Sequence, residues 1–235
     1  VGEVDQCAGT IIEAANEIGA KVVVVSEYGL SPVKRPVHLN RQLREAGLLG
    51  VRSGPFGEML MPGESDAFAV ADHQLAHLYV RDQNLIPRVR EIVESIDGVD
   101  QVLPPGELEL DHPRSGDLIV LADQDSWFTY YYWLDDEAAP DFAPTVDIHR
   151  KPGYDPCELF ATSKLRAIAR VAQKKLGFRY KMDVIPLDAT LVHGSHGLQT
   201  PPEDGPLVIG PPDTSAAGLP TDMRDFKASV HRMLA

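Results

Sequence analysis

Glu27, His149 and His196 are carboxylate and imidazole groups held in short, constrained stretches of sequence. These are the side chains with which proteins most often carry protons and hold cations. Glu27 sits in Ser26-Glu27-Tyr28-Gly29, directly after the run Lys21-Val22-Val23-Val24-Val25. A β-branched run of that kind predicts a strand buried on both faces, as in a parallel sheet covered by helices. The C-terminal end of such a strand is where open α/β sheets place ligands, so Glu27 stands in a position for chemistry. His196 lies in the tight polar loop His193-Gly194-Ser195-His196-Gly197. His149 is flanked by Asp147 and Lys151 in a loop made rigid by Pro152, Gly153 and Pro156, a cluster able to supply a metal ligand or to contact phosphate. Against it stands a structural loop whose charges pair with one another.

Other charged and titratable groups read more plainly. His73 and His77 are four apart, but Ala76 to Val80 has the look of a strand, where that spacing separates side chains too widely for a shared metal, and both read as structural. His193 reads as a surface or supporting residue. The helix bearing Lys164, Arg166, Arg170, Lys174 and Lys175 reads as a solvated face. Cys7 and Cys157 lack C-x-x-C spacing, so neither a disulfide framework nor a zinc knuckle is indicated, and both read as small buried hydrophobes.

The totals bound the answer. With 235 residues, 43% hydrophobic and 24% charged, the chain is long enough to bury a full core and is not of disordered composition. Its net charge of -13 would repel nucleic-acid phosphates and an anionic membrane face, which argues against general nucleic-acid binding. No apolar run approaches the roughly 20 residues of a membrane span, and no basic segment followed by an apolar one opens the chain. The expectation is a soluble, cytoplasmic protein without membrane attachment, although residue 1 need not be the native start.

The elements that must position these groups follow from periodicity. Val4, Ala8, Ile11, Ile12, Ala15 and Ile18 predict a helix stopped by Gly19. A further helix is predicted from His38 to Ala46, and hairpin turns over 49–63. From Ala67 to Asp123 the order is a strand at Ala76 to Val80, a helix from Pro87 to Ile96, and strands at Val99 to Leu103 and Asp117 to Leu121. That order predicts a small α+β module. Trp127 to Trp133 reads as a core or cap strand. Beyond it come a short helix at Cys157 to Phe160, the basic helix from Ser163 to Leu176, strands at Asp183 to Leu187 and Pro206 to Gly210, and a closing helix from Asp222 to Leu234 with Thr221 as its cap.

With these pieces placed, the chain resembles a known family. A buried strand ending in Ser26-Glu27-Tyr28-Gly29 is similar to the Ser-Asp-His-Gly strand end of type I phosphodiesterases and nucleotide pyrophosphatases, in the alkaline phosphatase superfamily. Gly194-Ser195-His196-Gly197 with Pro206 to Gly210 resembles their C-terminal His-Gly loop and following strand. The resemblance implies a site in which two metal ions share one phosphate while a Thr or Ser attacks phosphorus. Water then hydrolyses the covalent intermediate. It implies His196 as ligand of the first metal and Glu27, in place of the family's Asp, as ligand of the second, donor types that zinc takes at catalytic sites. Tyr28 stands where the motif has a metal-binding His, and a neutral phenol is a poorer ligand. Tyr28 and Lys151 are assigned to substrate, and His149 is the third metal candidate. The family's nucleophile and remaining ligands lie upstream of its Ser-Asp-His-Gly strand, and nothing in the 25 residues before Ser26 resembles them.

The expected fold is thus α/β, an alkaline-phosphatase-like core with a parallel-rich sheet flanked by helices. Its first part spans 1–63, an inserted α+β module spans 64–125, and the second part, with the closing helix, spans 126–235. The expected function is metal-dependent hydrolysis of phosphodiester or pyrophosphate bonds through a covalent phospho-enzyme. The ions would be two zincs, with manganese as the alternative, and the substrate a small phosphorylated or nucleotide molecule. The chain reads as the C-terminal portion of a longer enzyme, completed by a missing N-terminal half or by a second copy. One rival is a catalytically incomplete domain with a binding or assembly role. The other is a phosphomutase or sulfatase-like relative, since scaffold does not fix chemistry.

Overall fold

The computed structural model describes residues 2–212, 214, 219, 220 and 222–234. The chain divides into two compact units, Val1–Leu30 with Gln199–Ala235, and Ser31–Leu198.

The larger unit is built on alternation. In Ala67–Asp72 the small residues Ala67, Ala69 and Ala71 are buried and their neighbours half-buried or exposed, the period of a strand with one covered face. It pairs antiparallel with Leu75–Val80, from Asp72↔Leu75 to Ala67↔Val80, which leaves His73 and Gln74 as a two-residue turn. Leu75–Val80 pairs in turn with Leu118–Ala122, and that strand with Val99–Leu103. The expected strand, helix, strand, strand order is therefore present with one more strand, Ala67–Asp72, before it. The helix Ile86–Glu94 starts with Pro87 in its first turn, where the missing N–H has no intrahelical partner to lose, and buries Val89 and Val93. The helix Leu39–Glu45 buries Leu39 and Leu43 and packs on Ala67–Asp72. Between them Asn40, fully buried, donates to the carbonyl of Ala69 at 2.8 Å and accepts from its N–H at 2.7 Å.

The aromatic segment is core, but only its start is a strand. Ser126–Phe128 pairs in parallel with Arg35–Val37, while Tyr130, Tyr131, Tyr132 and Trp133 are all buried without a ladder partner. Side chains replace the ladder there. Arg41 donates to the carbonyl of Trp133 at 2.6 Å, and Arg44 to that of Tyr132 at 3.1 Å while gripping Glu58 with both guanidinium nitrogens. The strand expected at Asp183 to Leu187 is likewise an extended loop. Its backbone bonds go singly to Pro144 and Thr162, with one isolated bridge from Asp183 to Thr145.

In the smaller unit the helix Gly2–Glu17 forms as expected and buries none of its residues. Cys7 on that helix is exposed, contrary to expectation, because it lies beside rather than on the half-buried stripe of Ala8, Ile12 and Ala15, whereas Cys157 in the larger unit is buried. The Val22–Val25 run gives only a short strand, Val24–Val25, antiparallel to Val208–Ile209. Neither segment is buried on both faces. Among the described residues the pair has no further neighbour in the ladder, and Ile209 is exposed. The closing helix is present as Phe226–Leu234, preceded by a turn in which the Asp222 carboxylate accepts from the Arg224 N–H. The cap expected at Thr221 lies outside the described residues.

The chain is mixed α/β, with five α-helices among the described residues. Among those residues the parallel ladder is the Arg35–Val37 and Ser126–Phe128 pair; the other ladders are antiparallel, two of them tight hairpins, Val51–Gly54 with Gly57–Leu60 and Ala67–Asp72 with Leu75–Val80. No described helix is long and apolar enough to cross a membrane.

Candidate active site

The larger unit gathers its polar groups around the turn Asp72-His73-Gln74. Two-residue hairpin turns match the twist of their strands when the backbone takes positive φ. His73 does so, with φ of 58°; histidine is one of the non-glycine residues found there more readily than most. Gln74, fully buried, then fastens the turn to three other segments. Its side-chain nitrogen donates to the carbonyls of Gln124 and Ser126 at 3.2 and 3.1 Å, and its own carbonyl accepts from Ala122 at 2.9 Å. Its backbone N–H donates to the carbonyl of His196 at 2.9 Å. The His73 carbonyl accepts from Phe128 at 2.7 Å.

His196 reaches this turn on the loop that follows Gly194–Ser195, itself paired with Ser31–Pro32. Gly197 makes the approach possible. Its φ is 118°, and a Cβ there would lie 3.2 Å from the Gln74 nitrogen. The result is a ring contact, with the His73 and His196 imidazoles at a centroid distance of 3.8 Å and an interplanar angle of 35°. Tyr154 covers the His73 ring at 4.4 Å. Gly153, with φ of 130°, lets the chain press against Ala71 and donate from the Tyr154 N–H to the Ala71 carbonyl at 2.9 Å. Burial pushes the His73 imidazole down to about 4, with the neighbouring His196 adding to the effect and Asp72, its carboxylate 3.8 Å from Nε2, opposing it. His73 is therefore neutral near pH 7.

A cleft of about 380 Å³ opens beside Tyr154, lined by Asp72, Lys151, Asp155 and Glu158 together with apolar Val70 and Ile148. The Lys151 ammonium is buried between Asp155 and Glu158, 2.7 Å from a carboxylate oxygen of each. Desolvation raises the Asp155 pKa, and Lys151 opposes that shift.

The residues singled out from sequence are thus distributed unequally. His196 is held against His73 and Gln74. Lys151 lies in the cleft wall with its charge taken by two carboxylates. His149 is exposed on the turn before it. Glu27 and Tyr28 belong to the smaller unit, both exposed, where Ser26 exchanges two hydrogen bonds with Leu207. His73, Asp72, Gln74 and Tyr154 were not singled out as site residues. The alternation of Ala67 to Ala71, followed by Leu75 to Val80, was the signal that a hairpin turn rather than a strand holds His73.

Residues 1–155 match the family described as type I phosphodiesterase / nucleotide pyrophosphatase. The chain belongs to that family. No curated protein matches it. Among solved structures, this phosphodiesterase-family chain is similar to phosphonoacetate hydrolase from Sinorhizobium meliloti 1021 in complex with phosphonoformate. The identity is 17% and the TM-score 0.45, over 94% of this chain and 43% of that one. For the same hydrolase with phosphonoacetate the values are 19% and 0.35, over 53% and 31%. The chain spans less than half the length of that hydrolase.

Metal dependence is general in the type I phosphodiesterase family. The donor types agree with that: the His73 and Asp72 side chains at the turn and the His196 imidazole against it are of kinds that zinc takes. Their convergence does not. Among the described residues no three His, Cys, Asp or Glu side chains converge to hold an ion. The described part of this chain does not by itself enclose a metal.

Proposed function

We propose that this chain is part of a metal-dependent hydrolase acting on phosphodiester or pyrophosphate bonds of small phosphorylated molecules, with His196 as its foremost contribution to the active site. The family match over residues 1–155 carries the hydrolase part of this reading, and His196 lies beyond the matched residues. The fixed setting of the His196 loop supports it, since a catalytic group must be held still by packing and hydrogen bonds to act. In this reading zinc or manganese is the metal and a Thr or Ser nucleophile makes the covalent step. Glu27 and His149 are the further metal candidates and Tyr28 a substrate contact. Lys151, already neutralised by Asp155 and Glu158, shapes the cleft rather than meeting an anion.

The test is metal analysis of the purified protein combined with hydrolysis of an aryl phosphodiester before and after chelation. Bound zinc or manganese with activity lost on chelation and restored by the metal supports the reading. Absence of both metal and turnover in the intact protein sinks it.

A second reading, a catalytically incomplete domain that binds or assembles, is favoured by two observations. The described donors fall short of a metal site, and Tyr28 replaces the motif's histidine. Retained binding of a phosphate diester with no hydrolysis under any divalent metal would select it.

A further inference from the structure

From sequence His73 reads as structural, and the fold places its ring against that of His196. Its imidazole lies between Tyr154 at 4.4 Å and His196 at 3.8 Å. Its backbone has little freedom to move. The positive φ at His73, the Phe128 N–H on its carbonyl and the fourfold anchoring of Gln74 hold the turn from both sides. The next residue, Gln74, is the one whose N–H takes the His196 carbonyl, so a single turn fixes both the backbone and the ring of His196. Gly197 lets the two segments meet at this distance.

We propose that His73 is a positioning residue: the face of its imidazole sets the plane in which His196 presents its nitrogens. The functional part of this inference rests on the reading of His196 as an active-site residue. The geometric part does not. Rings in tilted contact at this separation restrict one another's orientation, and losing one removes that restraint from the other's side-chain torsions. The direction in which a histidine points its ring nitrogens decides whether they reach an ion or a proton. His73 touches neither substrate nor reacting atoms in this account; it acts through His196.

The experiment uses two substitutions and two readouts. His73→Asn keeps a residue that tolerates positive φ and removes the ring; His73→Phe keeps a flat ring and removes the nitrogens. The first readout is the imidazole resonances of His196 in the metal-free chain, assigned by their loss in His196→Gln. Circular dichroism confirms that each variant is folded. The expected result is that His73→Asn moves the His196 resonances toward those of an exposed histidine, and that His73→Phe leaves them near the parent's. Unchanged resonances in His73→Asn, or the same displacement in both variants, would overturn the proposal.

The second readout is aryl phosphodiester hydrolysis by the intact protein. His73→Asn is expected to lower kcat about 10- to 100-fold, the usual cost of removing a group that orients a catalytic ligand, while KM changes little and His73→Phe recovers most of the rate. An inactive parent would remove the hydrolase reading and leave the resonance test to decide the geometry alone.

Discussion

The backbone N–H of Gln74 donates to the carbonyl of His196 at 2.9 Å, across 122 positions of sequence, and the rings of His73 and His196 meet beside that bond. This junction ties a hairpin turn of the four-stranded sheet to a loop whose residues are otherwise bonded to the Ser31–Val33 segment. The consequences for stability can be read separately from those for catalysis.

Gly197→Ala should loosen the junction. The residue has φ of 118°, and an added methyl meets the Gln74 and Leu75 nitrogens at 3.2 and 3.4 Å. A strained backbone position of this kind costs about 1–3 kcal/mol, so urea unfolding should show a midpoint well below that of the parent. Gly63→Ala, where nothing lies within 4 Å and φ is not in the left-handed region, should change stability little. Equal effects from the two would show that the close approach at Gly197 is not maintained in solution.

Lys151→Met should be among the most damaging single changes in the larger unit. It leaves the Asp155 and Glu158 carboxylates facing each other without the cation between them. Breaking a buried pair by removing one partner costs about 3–5 kcal/mol. The sign with pH follows from Asp155. Its folded pKa is already raised by desolvation, and loss of the Lys151 attraction raises it further, so the folded variant binds protons more readily than the unfolded chain. The deficit relative to the parent should therefore be largest near pH 7.5 and shrink toward pH 5. A deficit independent of pH would contradict the buried-carboxylate account.

His38 gives a pH dependence with a different window. Burial, helped by the Arg41 charge and opposed by Asp136, pushes its pKa from 6.5 down to about 4, while its Nδ1 lies 2.7 Å from the Thr129 hydroxyl. The unfolded chain takes up this proton first. The His38 contribution is thus intact above pH 6.5 and is lost as pH falls from 6.5 toward 4. Comparing thermal unfolding of the parent and His38→Gln at pH 7.5, 6 and 5 should show a smaller acid-side slope in the variant. Parallel slopes would mean that His38 titrates alike in both states.

Much of the larger unit was legible in sequence because its signals are local. The Pro87 start of a helix, the apolar alternation of Leu75 to Val80 and the turn-rich 49–63 segment each specify their element through neighbours a few residues away. The failures share a cause. Asp183 to Leu187 and Thr129 to Trp133 have the composition of strands, but their backbone groups are taken by Pro144, Thr162, Arg41 and Arg44, partners that no period in the sequence announces. The same holds at the site. His196 was recognisable from its own Gly-Ser-His-Gly setting, whereas His73 acquires its place only through a contact between distant segments. The strand pattern of Ala76 to Val80 argued against a metal pair with His77 and gave no sign of the turn that holds His73.

The central claim is that His196 serves phosphoryl hydrolysis. The direct measurement is the rate of p-nitrophenolate release from bis(p-nitrophenyl) phosphate by the intact protein supplied with zinc or manganese, alongside His196→Ala. The account predicts metal-dependent turnover in the parent and a loss in kcat of about 100-fold or more in the variant, as expected when a group acting in the transition state is removed, with the variant still folded. A folded His196→Ala protein that hydrolyses the diester at the parent's rate would contradict it.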